Sequence, residues 1–77
     1  PQGWQGVVRV GKNGEAYALI HTFYGELPEY IEIELPKDCP GAMADVYSDN
    51  EVDVTVKNGV LRLKTSEAMK AVAVLLK

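Results

Sequence analysis

A chain of 77 residues with a net charge of −3 and 47% hydrophobic side chains holds one domain at most, since single cores organise about 50 to 200 residues. Its acids and bases are scattered, which argues against a nucleic-acid partner, for which a basic patch is needed; no apolar run approaches the roughly 20 residues of a membrane-spanning helix. One cysteine, Cys39, and one histidine, His21, rule out an internal disulfide and a four-ligand thiolate zinc site.

The chain opens on Pro1-Gln2-Gly3-Trp4, without an initiator Met, a basic segment or an apolar leader, and reads as a piece cut from a longer multidomain protein. Val7 to Val10 and Glu15 to Tyr24 flank Asn13-Gly14, the dipeptide that supplies both positive-φ positions of a type I′ hairpin turn. A two-residue loop there pairs Val10 with Tyr17 and Val8 with Leu19. The second of these strands is apolar on both sides, as expected of a central strand covered on two faces.

Tyr30 to Leu35 alternates cleanly, sending Ile31, Ile33 and Leu35 inward and Glu32 and Glu34 outward, and Pro36 ends it by withholding a backbone donor. Pro40-Gly41 marks a turn before a weaker strand from Ala42 to Tyr47, and Ser48-Asp49-Asn50 marks the turn after it. The strongest local signal is Val52 to Thr65, two alternating runs joined by Asn58-Gly59. There a two-residue loop pairs Val56 with Leu61 and Val54 with Leu63, leaving Asp53, Thr55, Arg62 and Lys64 in water. Residues 66 to 70 have helix propensity, but Val72 and Val74 are β-branched and a lone helix covers only one side of a strand domain, so Ala71 to Leu76 reads as a buried strand. About seven short strands spaced by turns are the pattern of an all-β, small antiparallel β-sandwich, Greek-key-like in connection.

Candidate chemistry is sparse. His21 has no nucleophile or orienting acid beside it in sequence and reads as a half-buried strand side chain. Asp45, Asp49, Glu51 and Asp53 gather around a turn, but their spacing departs from a calcium-binding loop and fits a solvated edge. No catalytic residue, metal or cofactor is assigned. The aromatic residues Trp4, Tyr24 and Tyr30 lie near predicted strand ends, where a ring docks a neighbouring domain, stacks on a sugar or packs into the core. For Trp4, docking against a preceding domain is the favoured role, with burial and sugar contact as the alternatives.

The order of Gly3-Trp4-Gln5-Gly6 entering the first strand, Gly14 to Ile20 as a central strand, and the Lys57 to Leu63 hairpin followed by Ala71 to Leu76 resembles the C-terminal β-sandwich domain behind the catalytic barrel of glycoside hydrolases. The likeness is greatest to the α-galactosidase (melibiase-like) and α-fucosidase types. It implies an active site on a preceding barrel, a non-catalytic accessory role in packing on that barrel, and a parent enzyme of the bacterial secreted or periplasmic kind. Two other classes share the shape: a carbohydrate-binding module, which needs two or three aromatics on one exposed face, and an immunoglobulin-like protein-interaction module, whose paired cysteines are missing here.

Overall fold

The computed structural model describes residues 3–23, 26–48, 51–66 and 71–77. Among them the regular elements are strands: β1 (Trp4–Val10), β2 (Ala16–Thr22), β3 (Tyr30–Glu34), β4 (Met43–Ser48), β5 (Val54–Lys57), β6 (Val60–Lys64) and β7 (Ala71–Leu76). They form two antiparallel sheets, ordered β1-β2-β7-β4 and β3-β6-β5. The chain is therefore an all-β, sandwich-like domain. Only the β1–β2 and β5–β6 connections stay within a sheet; the others cross between the two, and β7 inserts between β2 and β4.

The core draws on both sheets. Ala16, Ala18 and Ile20 of β2 and Val72, Val74 and Leu76 of β7 meet Ile31, Val54, Leu61 and Leu63 of the three-stranded sheet in one buried cluster. Each large member contributes about 1.5–3 kcal/mol by leaving water. The two alanines leave room on β2 for the bulky leucines of β6, so the two sheets fill the space between them with unequal side chains. Buried polar side chains are absent among the described residues, and none of these residues forms a helix long and apolar enough to cross a membrane.

The β5–β6 hairpin forms as its turn chemistry dictates. Asn58 and Gly59 have φ of 53° and 75°, the two left-handed positions of a type I′ turn, and the ladder pairs Val56 with Leu61 and Val54 with Leu63. Thr65 then ties the end of β6 to the entry of β3. Its hydroxyl is shared between the Pro28 and Glu29 carbonyls at 2.5 and 3.0 Å, and its N–H donates to the Glu29 carbonyl.

The first hairpin departs from its expected register. Val10 pairs with Ala16 and Val8 with Ala18, not with Tyr17 and Leu19. Here Asn13 is not left-handed; Gly14 alone, with φ of 79°, takes that conformation. The Gly11 N–H donates to the Glu15 carbonyl at 2.7 Å, closing a three-residue loop of Lys12, Asn13 and Gly14 in which the final glycine turns the chain back. One extra loop residue exchanges the two faces of β2. Ala16, Ala18 and Ile20 go into the core, and Tyr17, Leu19 and His21 turn to the outer surface.

Candidate functional site

The residues singled out from sequence do not share a surface. Trp4 points inward, half-buried and packed against the core. Its ring lies over Gly6, where a Cβ would sit 3.1 Å from the ring and 2.8 Å from Ile33 Cδ1. Tyr30 is on the far sheet, its ring capped by Arg62, whose guanidinium carbon lies 3.7 Å from the ring centre in a cation–π contact. Tyr24 lies outside the described residues.

The polar candidates are equally dispersed. His21 is exposed on the outer face of the four-stranded sheet, a correction to the half-buried position expected for it, and its register neighbours are Gln5 and Ala71. Neither is an acid or a nucleophile, so the ladder itself sets no relay partner beside the imidazole. Glu51 and Asp53 are exposed, and Asp49 is outside the described residues. No group of three or more His, Cys, Asp or Glu side chains placed to hold a metal occurs among the described residues. Cys39 packs at the margin of the core; burial, and secondarily the charge of Asp38, raise its thiol pKa, so it is a poor nucleophile at neutral pH.

What the fold does assemble is an apolar outer face. The ladder places Val7, Leu19, Ala73 and Tyr47 in one row across β1, β2, β7 and β4, and Arg9, Tyr17, Leu75 and Asp45 in the next. Val7, Tyr17, Leu19 and Tyr47 are large hydrophobic residues left exposed, Tyr47 at 58%. Where β7 presents the small Ala71 and Ala73, between the taller Leu19 and His21 on one side and Tyr47 and Ser48 on the other, the face is hollowed into a shallow depression of about 530 Å³. The depression is open, and its lining mixes the methyl groups of Ala71 and Ala73 with the polar side chains of His21 and Ser48.

The chain matches no family model, no curated protein and no solved structure.

A two-residue loop at Asn13-Gly14 pairs Tyr17 with Val10 and Leu19 with Val8, so local pairing does not single either out as part of an exposed face. The available signal was β2 itself. A strand apolar on both sides calls for cover on both sides, and a domain of two sheets supplies cover on one.

Proposed function

We propose that this chain is a non-catalytic accessory domain that packs, through the outer face of its four-stranded sheet, on a neighbouring catalytic domain, in the manner of the sandwich behind a glycoside hydrolase barrel. One observation carries the reading. The central strand β2 has apolar residues on both faces, and on the second face Val7, Tyr17, Leu19 and Tyr47 stay exposed among the described residues, with Leu75 alone buried between its neighbours. Covering each of these side chains contributes on the order of 1 kcal/mol, enough in sum to hold two tethered domains together. The resemblance to glycoside hydrolase sandwiches names the kind of neighbour.

The experiment compares the chain alone with the chain expressed together with the sequence that precedes it in its gene. The chain alone hydrolyses no aryl glycoside, and Leu19→Lys lowers the melting temperature of the longer protein by more than that of the chain alone. Equal losses in the two contexts, or glycoside hydrolysis by the chain alone, would end the reading.

A carbohydrate-binding module is the second reading, favoured by Tyr17 and Tyr47 lying exposed on one face, on either side of β7. Titration with galactosides and soluble polysaccharides separates the two, since a sugar platform shifts tyrosine fluorescence and amide resonances of β2 and β4, and a docking face does not.

A further inference from the structure

Among the described residues strand β1 forms one edge of the four-stranded sheet, paired only with β2. Which of its backbone groups face away from β2 follows from the two hydrogen bonds that bracket the ladder. The Phe23 N–H donates to the Gly3 carbonyl at 2.6 Å and the Gly11 N–H to the Glu15 carbonyl at 2.7 Å. Between them the register runs without a bulge. Residues 3 and 11 are thus hydrogen-bonded to β2, and in an antiparallel ladder such residues alternate. Gln5, Val7 and Arg9 also spend their N–H and C=O groups on β2, whereas Trp4, Gly6, Val8 and Val10 aim theirs outward from the edge.

Exposed edges are commonly guarded by charge, proline, bulges or brevity, and the other three among the described residues are. Edge strand β3 carries Glu32 and Glu34 and is followed by Pro36. Edge strand β5 is only four residues long. Edge strand β4 is broken in register between Met43 and Asp45. By contrast, β1 is seven residues long, unbroken, without proline and with a single charge at Arg9. It is an unguarded template for another strand.

The geometry points to a second copy of this chain as the occupant, added antiparallel through β1 about a two-fold axis at Val7. In that register the outward groups of Trp4 meet those of the partner's Val10, and those of Gly6 meet the partner's Val8, each pair exchanging two backbone hydrogen bonds across the interface and its mirror. No outward donor or acceptor of β1 is left over. On the outer face Val7 meets the partner's Val7 in a non-hydrogen-bonded pair, where side chains approach closest, and Arg9 meets the partner's Gln5, so like charges are not opposed. The rows of Val7, Leu19, Ala73 and Tyr47 join into one apolar stripe across both copies, and the sheets become one of eight strands. The self-complementarity of this register favours a second copy over an unrelated strand.

Sedimentation equilibrium on the chain tests this. The wild-type chain is expected to approach twice the monomer mass at submillimolar concentration. Val7→Lys and Val7→Glu, each placing like charges across the axis at a position that is exposed in the monomer, are expected to be monomeric alone and to dimerise when mixed. Val8→Pro removes an outward donor without touching the β2 ladder and is expected to be monomeric with an unchanged far-ultraviolet spectrum. Tyr47→Glu, on the same face but at the opposite edge, is expected to leave the dimer intact. A wild-type chain that stays monomeric at millimolar concentration overturns the proposal. So does a dimer that survives Val7→Lys, a charge-swapped mixture that stays monomeric, or a dimer that Tyr47→Glu abolishes, the last placing the contact on the sheet face used by the proposed docking.

Discussion

Leucine 19 and alanine 18 are neighbours in β2, and exchanging each for lysine separates the two possible registers of the first hairpin. Leu19 is 41% exposed on the outer face and Ala18 is 0% exposed in the core. For Leu19→Lys the loss is the hidden part of the side chain, roughly 0.6 of 1.5–3 kcal/mol, or about 1–2 kcal/mol, and part of this returns because the lysine stem lies along the sheet with its ammonium in water. For Ala18→Lys an ammonium enters the cluster of Ile31, Leu61, Leu63 and Val74 with no acid to pair it, a penalty of several kcal/mol before any overpacking is counted. A domain of 77 residues has a total stability of about 4–12 kcal/mol. Leu19→Lys is therefore expected to fold and Ala18→Lys to be largely unfolded at 25 °C. Urea titration followed by far-ultraviolet circular dichroism and Trp4 emission reads both, with Leu19→Lys shifting the midpoint at unchanged slope. In the slipped register, where Val8 faces Leu19, the two outcomes exchange. A folded Ala18→Lys beside an unfolded Leu19→Lys would refute the register, and with it the docking face.

The two Asn-Gly turns make a second contrast. Asn58→Ala forces a Cβ-bearing residue without a capping amide into left-handed backbone and is expected to lose about 1 kcal/mol, whereas Asn13→Ala, at ordinary φ, is expected to lose no more than a few tenths; equal losses in chemical denaturation would contradict the three-residue loop. On the outer side of the three-stranded sheet, Arg62→Ala removes the stack on Tyr30 and is expected to lose about 0.5–1 kcal/mol, while Glu32→Gln removes only an exposed pair at 3.9 Å and is expected to change stability by less than about 0.5 kcal/mol. Thermal melts of the two variants check the order. For Cys39, the raised thiol pKa lowers the thiolate fraction at neutral pH, so iodoacetamide is expected to react more slowly with the folded chain than with the chain in urea at pH 7.5, the gap narrowing as pH rises above the ordinary thiol range; equal rates at pH 7.5 would show the thiol to be unperturbed.

Much of the sandwich was legible in the residues. The β5–β6 hairpin follows from Asn58-Gly59 and strict alternation on both sides, so turn and burial pattern name the same register. The β3 strand and its termination before Pro36 follow from the same period-two logic. The candidate face was hidden by a degeneracy in β2. With Tyr17 and Leu19 on one side and Ala16, Ala18 and Ile20 on the other, burial does not choose between registers, and Asn13-Gly14 serves a two-residue or a three-residue loop equally well.

By itself, then, the sequence determined which segments are strands and where they turn, because turn conformation and side-chain alternation are properties of neighbouring residues. Only the tertiary structure decided which face of β2 meets β6, that β7 separates β2 from β4, that Trp4 packs inward over Gly6, and that β1 is left as an open edge. Those outcomes depend on packing between residues distant along the chain, where filling the space between two sheets with alanines against leucines selects one of two registers that hairpin chemistry alone leaves close in energy.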